Sequence, residues 1–279
     1  MTFEIAIATM HKSKEQCLEM LNKENIHCDC LIVNQCDSDD YYEENLAGRR
    51  IRIIFTKERG LSKSRNMAIR NMQADIMSIG DDDLYYYDNF DKKILSYYEL
   101  NPNADVVLFN VDDCYKTFSD KTRKCNFLEL SGYKSMQTTF KRKFKNNKEV
   151  RSFSFNEYFG TGSSYVQSGE ENIFLADLWR AGAKIFYCKE KILKRDETES
   201  NWFKGYTESF IKDRGAIYYA ISSFWYYLYI LRFALKIRKK MNFIRVIKLM
   251  KDGKKEYRIF QNKVAEYDGK TNRRIKNIT

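Results

Sequence analysis

The chain of 279 residues contains one proline and 12 glycines. Such low contents exclude collagen-like, linker-like and low-complexity chains, which are rich in these two residues. Aromatic residues make up 15% of the chain and hydrophobic residues 43%, which is enough apolar surface to offset the conformational entropy lost on folding. The composition therefore predicts a folded protein with one large domain, or one domain with an appendage.

The sequence also lacks a recognisable secretion signal and a convincing zinc motif. The N-terminal residues lack a basic segment, and no apolar segment with a small-residue cleavage site follows them. The cluster of His27, Cys28, Cys30 and Cys36 has no second, distant ligand pair, and alternation on a strand explains Cys28 and Cys30 as well as a zinc site would. With seven cysteines, an odd number, we expect a cytoplasmic protein with free thiols.

Positive charge is concentrated near the C-terminus. Residues 201–279 contain 19 Lys and Arg residues against 6 Asp and Glu, whereas residues 1–200 have a net charge of −2. This asymmetry indicates a polyanionic partner, either membrane phosphates or nucleic acid. Because no nucleic-acid-binding module is recognisable, we expect an anionic membrane surface and no nucleic acid.

Short apolar runs alternate with helical spacing in the first part of the chain. Strands are predicted at residues 3–8, 28–34, 51–55, 76–79 and 105–110. Helices are predicted at residues 12–23 and 62–72, with Ser62 as the N-cap of the second. This alternation predicts βαβ units and an α/β fold with a mainly parallel sheet flanked by helices.

The pattern changes after residue 112 and again after residue 203. An irregular polar stretch precedes a helix from Gly169 to Arg180, and short strands are predicted at 184–187 and 190–193. From about residue 205 the chain is helical and basic. We therefore predict a nucleotide-binding half at 1–112, an acceptor half at 113–203, and a basic, aromatic, helical tail at 204–279.

Three consecutive carboxylates, Asp81, Asp82 and Asp83, follow the predicted strand at 76–79, which Gly80 is expected to stop. Ligands of open α/β sheets bind at the carboxyl ends of strands, and hard divalent ions take carboxylate oxygens. Since alternate residues of an extended segment point the same way, Asp81 and Asp83 are expected to converge on Mg²⁺ or Mn²⁺. A solvated acidic turn is the alternative.

A glycine turn at Gly60 leads into a helix start that contains Arg65. A helix N-terminus has free N–H groups and a positive dipole end, which suit an anion. Arg65 is therefore placed to meet a phosphate or a base edge. A capped surface helix with incidental charges is the alternative, but it accounts less well for the acidic triplet nearby.

Further motifs complete an ordered set. Along the chain they are Thr9-Met10, Val33-Asn34-Gln35, Gly60-Leu61-Ser62-x-Ser64-Arg65-Asn66, Asp81-Asp82-Asp83, Phe159-Gly160-Thr161-Gly162-Ser163 and Gly169-Glu170-Glu171-Asn172-x-Phe174. In this order they resemble the family 2 glycosyltransferases of GT-A fold, a Rossmann-like fold, and more narrowly the bacterial enzymes that build capsular or lipopolysaccharide sugars. The resemblance covers about residues 3–203.

The resemblance implies a nucleotide-sugar site. The loop with Thr9 and Met10 and the turn with Asn34 and Gln35 would flank the uracil and ribose, although Asp37 or the backbone could make the base contact instead. Arg65 would contact the base or the diphosphate.

Within the acidic triplet, the resemblance implies that Asp81 reaches the ribose side and Asp83 holds the metal, with Asp81 as a second candidate ligand. Asp82 is counted among the nucleotide-sugar-binding residues. Relatives often have a metal-facing histidine where Arg195 stands. A cation cannot ligate a metal, so Arg195 would instead neutralise the leaving diphosphate.

The resemblance also implies a general base. The family block Gly-Glu-Asp-x-x-Phe has its basic aspartate where this chain has Glu171, which is one methylene longer. Glu170 competes with Glu171 for the role, and the pair could also be a helix-start pair favoured by the helix dipole.

The basic tail contains a charge-free run at residues 215–231. This length touches the lower edge of the roughly 17–25 residues that span a bilayer, but its tyrosines prefer the membrane interface. Five cations follow at once: Arg232, Lys236, Arg238, Lys239 and Lys240. The pattern favours an in-plane helix on an anionic leaflet, and a helix packed on the catalytic body is the alternative.

Together these features lead us to expect a metal-dependent, inverting glycosyltransferase at the inner face of the cell membrane. It would move a hexose or N-acetylhexosamine from a UDP-sugar to a lipid-linked or saccharide acceptor in surface polysaccharide synthesis. Two alternatives stay open: a nucleotidyltransferase, whose usual Gly-rich, Lys-containing phosphate loop is not found, and a non-catalytic membrane-surface assembly protein. The oligomeric state also stays open.

Overall fold

The computed structural model describes residues 1–112, 118–195 and 205–276, with side chains to residue 265. The chain divides into two compact units, residues 1–199 and 200–279. The predicted boundary between residues 203 and 204 lies outside the described residues.

The described part of the first unit forms ten strands and four α-helices. The strands are β1 (Phe3–Met10), β2 (Asp29–Gln35), β3 (Asp40–Leu46), β4 (Arg49–Thr56), β5 (Ile76–Asp81), β6 (Leu84–Tyr86), β7 (Val106–Asp112), β8 (Arg123–Lys124), β9 (Thr138–Lys141) and β10 (Ile185–Arg195). The helices are α1 (Lys14–Lys23), α2 (Leu61–Asn71), α3 (Phe90–Leu100) and α4 (Glu170–Arg180). Three short 3-10 helices lie at Phe127–Gly132, Ser135–Gln137 and Val150–Ser152.

All ten strands belong to one mixed sheet. Its order is β3-β4-β2-β1-β5-β9-β7-β10-β6, and β8 pairs with β10. The pairs β4–β2, β2–β1, β1–β5 and β7–β10 are parallel, while β9 runs antiparallel between β5 and β7. The predicted α/β class with a mainly parallel sheet is confirmed.

The sheet has a core on each face, because successive side chains of a strand point to opposite faces. Ile5 and Ile7 of β1 pack in one cluster with Leu21 of α1. Ala6 packs on the other face with Ile69 of α2 and Phe174 of α4. Buried runs that alternate in this way explain why the parallel strands were predictable from the sequence.

Two local predictions at helix and strand ends were wrong. Gly60, not Ser62, is the N-cap of α2, with φ of +120°, and the Ser62 hydroxyl inside the helix donates to the Phe159 carbonyl (2.6 Å). Gly80 does not stop β5, which continues to Asp81. A side chain at Gly80 would lie 2.6 Å from the Tyr86 hydroxyl, so packing requires the glycine.

The strand pattern differs from the prediction in two further places. The predicted strands at 184–187 and 190–193 are one strand, β10, whose register shifts between Cys188 and Lys191. Edge strand β3 was not predicted, because its exposed polar residues lack the apolar alternation of a half-buried strand.

The described part of the second unit consists of helices α5 (Glu208–Ile221), α6 (Tyr226–Ile237) and α7 (Phe243–Lys276). The predicted helical character of the C-terminal part is confirmed. The charge-free run is split between α5 and α6. None of the described helices offers a stretch long and apolar enough to cross a bilayer. Gly215 and Gly253 let α5 and α7 pack backbone to backbone, since a Cβ on either would overlap the other helix.

Candidate active site

The carboxyl ends of β1, β2 and β5 meet at one edge of the sheet. In register, Thr9 and Met10 lie beside Asn34 and Gln35, and the residue before Thr9 lies beside Asp81. Three motifs that are far apart in sequence are thereby brought together.

The Thr9 loop is joined to the acidic triplet through Asp82. The Thr9 hydroxyl donates to Asp82 Oδ2 (2.5 Å), and Lys12 Nζ lies 3.4 Å from the same oxygen. Asp82 therefore faces the Thr9 loop, and Lys12 adds a cation at this edge.

Asn34 and Gln35 hold the neighbouring backbone. The buried Asn34 amide accepts from the Lys12 N–H (3.3 Å) and donates to the Lys12 carbonyl (2.6 Å). Gln35 Oε1 accepts from the N–H of Gly60 (2.6 Å) at the start of α2. Met10 is 49% exposed, so it is the accessible member of this group.

Arg65 lies in a buried polar centre beneath the edge. Its Nη1 donates to Glu170 Oε1 (2.6 Å), and its Nη2 donates to Asp81 Oδ1 (2.9 Å) and Ser135 Oγ (2.9 Å). Its side chain is 3% exposed and that of Glu170 is 6% exposed. Arg65 thus joins Asp81, at the end of β5, to Glu170 at the start of α4.

The close approach of α4 to α2 depends on Gly160. Its φ is +100°, and a Cβ there would lie 3.0 Å from both Glu170 Cδ and Ser62 Oγ. In the same turn, the Leu61 N–H donates to the Thr161 carbonyl (2.9 Å). The glycine-containing motif at residues 159–163 therefore packs α4 against α2.

Glu170 and Glu171 differ in their electrostatic surroundings. Burial opposes the Arg65 charge, but Asp81, Glu170 and Glu171 raise the pKa of its guanidinium. Burial, followed by repulsion from Glu170, raises the pKa of Glu171 above its usual range, and Arg65 opposes this rise. Glu170 is the ion-pair partner of Arg65, whereas the half-buried Glu171 has a raised pKa.

Asp83, the last residue of the triplet, forms an ion pair with Arg195 of β10. Antiparallel pairing of β6 with β10 places Arg195 beside Leu84, and its Nη2 is 3.2 Å from Asp83 Oδ2. Burial raises the pKa of Asp83, and Arg195 opposes the shift. Asp37 instead pairs with Arg59 (2.6 Å), and its side chain is 91% exposed.

The three carboxylates of the acidic triplet each face a different cation: Asp81 faces Arg65, Asp82 faces Lys12 and Asp83 faces Arg195. Within the described residues, no group of three or more His, Cys, Asp or Glu side chains is gathered closely enough to form a metal centre. Asp81 and Asp83 are 35% and 55% exposed as side chains and offer the oxygen ligands that Mg²⁺ and Mn²⁺ prefer. A divalent ion held by them would take its remaining ligands from outside the chain.

Lys12 and Ser135 were not predicted as site residues. Lys12 lies directly after the Thr9 loop, so its position was a usable signal. Ser135 lies in a short 3-10 helix within the irregular stretch, where no periodicity marks it.

A buried carboxyl, Glu24, lies near the triplet at the end of α1. It is 3% exposed, and neither of its oxygens has a hydrogen-bond partner among the described residues. Burial, reinforced by the carboxylates of Asp82 and Asp83, raises its pKa from 4.5 to about 9.

Glu24 predicts a dependence of stability on pH. The folded protein binds this proton more tightly than the unfolded chain, so the free energy of unfolding falls as pH rises from about 4.5 towards 9, by up to about 1.4 kcal/mol per pH unit. Glu24→Gln cannot ionise and should remove this slope in urea unfolding at pH 5, 7 and 8.5. Glu19→Gln, an exposed change on the same helix, should retain it. Equal slopes in the two variants would contradict the assignment.

The chain is similar to a known protein family and to several solved structures. Residues 11–165 match the family model of glycosyl transferase family 2. No curated protein matches the chain. Among solved structures, TarS 1–349 of S. aureus in complex with UDP-GlcNAc has a TM-score of 0.58 and 15% identity, over 86% of this chain and 73% of that one.

Two other TarS structures are similar to this chain to the same degree. TarS 1–349 of S. aureus has a TM-score of 0.56 and 14% identity, over 86% of this chain and 72% of that one. The longer S. aureus TarS structure has the same TM-score and identity, over 87% of this chain and 44% of that one. The TM-scores of 0.56–0.58 indicate a shared fold, the GT-A fold. Because the family model matches more than half of the residues, the chain belongs to glycosyl transferase family 2 and is a glycosyltransferase.

Proposed function

We propose that this glycosyltransferase is inverting and metal-assisted, and that it moves a hexose or N-acetylhexosamine from a UDP-sugar to a lipid-linked or saccharide acceptor. The observation that carries the proposal is the double contact of Arg65 with Asp81 and Glu170. Through it, the carboxylates on the donor side are linked to the start of α4, where the glutamate with the raised pKa lies.

The donor half is proposed at residues 1–112. Thr9, Met10, Asn34 and Gln35 would flank the nucleoside. Lys12 and Arg195, which pair with Asp82 and Asp83, would face the diphosphate. A divalent ion held by Asp83 and Asp81 would stabilise the negative charge that develops on the leaving group. UDP-GlcNAc in the TarS complex supports a UDP-linked donor.

The acceptor half is proposed at residues 113–203, with Glu171 as general base. Its carboxylate would take the proton of an acceptor hydroxyl while that oxygen bonds to the anomeric carbon of the sugar. The bond from this carbon to the diphosphate oxygen breaks, and nucleoside diphosphate leaves from the opposite face. One in-line displacement of this kind inverts the anomeric centre.

We also propose that the second unit holds the enzyme at the inner face of the cell membrane, where capsular or lipopolysaccharide sugars are built. The support is the exposure of large apolar side chains on and before α6: Phe224 (80%), Trp225 (39%), Tyr227 (59%), Leu231 (43%) and Leu235 (45%). Together with the many cations of the unit, they suit an anionic lipid interface.

Replacing Asp83 tests the metal-assisted donor site. Asp83→Ala should weaken metal-dependent UDP binding at least about tenfold, a loss of about 1.4 kcal/mol, because a proposed ligand to the divalent ion is lost. Its melting temperature should change little, since the side chain is 55% exposed. Titration calorimetry with Mn²⁺ measures the affinity, and Asp39→Ala, at another exposed aspartate, should bind like the wild type. Unchanged metal-dependent affinity in Asp83→Ala would refute the assignment.

A further inference from the structure

A basic groove runs along one face of α7 where this helix meets the start of α6. It has a volume of about 430 Å³, and its lining residues are Tyr227 of α6 and Lys251, Lys254, Lys255, Arg258, Ile259 and Asn262 of α7. Four of these seven residues are cationic and none is acidic. The groove therefore attracts a negatively charged group.

One cation of the groove is held in position by aromatic rings. Lys254 Nζ lies 4.7 Å from the ring centroid of Tyr219, 4.8 Å from that of Tyr226 and 5.3 Å from that of Tyr227. Contacts at these distances are favourable cation–π interactions. Because the ammonium is restrained before any ligand arrives, less side-chain entropy is lost when an anion binds.

The acidic residues interspersed in this part of α7 do not neutralise the groove. Glu256 pairs with Lys212 of α5 (2.6 Å), and neither Glu256 nor Asp252 is among the lining residues. No ion pair joins Lys251, Lys255 or Arg258 to a carboxylate within the part of the chain that the structure describes. Their charges are thus available to an external anion.

An exposed apolar stripe is continuous with the groove at Tyr227. Tyr227, Leu231 and Leu235 recur every four residues and share one face of α6, with exposures of 59%, 43% and 45%. Ile259 in the groove is 47% exposed. A soluble polyanion would occupy the cations and leave these side chains in water, whereas a lipid surface covers both.

We propose that the basic groove binds the phosphate headgroup of an anionic phospholipid while the α6 stripe enters the membrane interface. The inference rests on the proposed membrane association and names the cations responsible for it. They are the groove residues Lys251, Lys255 and Arg258, rather than the cluster Lys236, Arg238 and Lys239 that follows the charge-free run.

The test compares two variants of the full chain with equal loss of charge. The groove variant carries Lys251→Gln, Lys255→Gln and Arg258→Gln, and the control variant carries Lys236→Gln, Arg238→Gln and Lys239→Gln. Co-sedimentation uses vesicles with phosphatidylglycerol and vesicles of phosphatidylcholine alone. At about fivefold per contacting cation, the groove variant should lose about 100-fold in partition to the anionic vesicles, and the control variant less than tenfold.

A third variant separates a lipid from a soluble anion. Leu231→Ser with Leu235→Ser should weaken vesicle binding but leave the affinity for inorganic pyrophosphate unchanged. Both side chains are exposed, so the fold should persist, and circular dichroism checks this.

Each contrary result overturns a distinct step. Equal losses in the groove and control variants would refute the groove while membrane association stands. Vesicle binding that is unaffected by the serine changes, together with tight pyrophosphate binding that the groove variant loses, would point to a soluble polyanion. No binding of the wild type to either vesicle type would refute the membrane association itself.

Discussion

Glu171→Gln is expected to lower kcat by about 10²–10⁴-fold, the usual contribution of a general base, with donor affinity close to that of the wild type. The variant keeps the size of the side chain and removes its ability to accept a proton. Arg65, Asp81 and Asp83 retain their contacts, since none of them depends on Glu171. Steady-state kinetics of nucleoside diphosphate release and calorimetry with UDP measure the two quantities.

The pH profile gives an independent readout for Glu171. Burial and the neighbouring Glu170 raise its pKa, and the base acts only when deprotonated. The rate should therefore rise with pH through a range well above the ordinary pKa of 4.5. Glu190→Gln, an exposed change in the same unit, should keep both rate and profile. A normal rate in Glu171→Gln, with an inactive Glu170→Gln, would identify Glu170 as the base instead.

Glu170→Ala is expected to destabilise the protein by about 3–5 kcal/mol, because it leaves the buried Arg65 guanidinium without one of its two carboxylate partners. Both side chains are at most 6% exposed, so water cannot replace the lost contact. Urea unfolding followed by circular dichroism measures the change. Glu43→Ala breaks the exposed pair with Arg50 and should destabilise the protein far less, because exposed ion pairs contribute little to stability.

The double variant Arg65→Met with Glu170→Met distinguishes a lost pair from a lost packing contact. Replacing both charged partners by apolar groups of similar volume avoids an unpaired buried charge. It should therefore be less destabilising than Glu170→Ala, and a double-mutant cycle gives the coupling between the two sites. If Glu170→Ala costs no more than Glu43→Ala, Arg65 and Glu170 do not form a buried pair in solution.

The central strands and the location of the motifs could be predicted because they depend on local patterns. The buried runs of β1, β2 and β5 identify parallel strands, and parallel strands end at one edge. The proximity of Thr9, Asn34 and Asp81 follows from that geometry alone. Edge strand β3 is mostly exposed and polar, so its pairing with β4 depends on a neighbour that periodicity does not reveal.

The partners of Arg65 could not be predicted in the same way. Arg65 and Glu170 are 105 residues apart in sequence, and their contact depends on the left-handed turn at Gly160. From the sequence, Arg65 is expected to meet a phosphate or a base edge. The structure places its side chain at 3% exposure between the carboxylates of Asp81 and Glu170.

The products formed from a UDP-sugar test the central proposal most directly. The wild type is incubated with UDP-GlcNAc and other UDP-sugars in the presence of Mn²⁺ and pyrophosphate, and the nucleotides are separated by anion exchange. If the donor is a UDP-sugar, water replaces the acceptor slowly, and UDP accumulates with free sugar in a reaction that Asp83→Ala and Glu171→Gln abolish. Formation of UTP and sugar 1-phosphate would contradict the account, because it would show nucleotidyl transfer instead of glycosyl transfer.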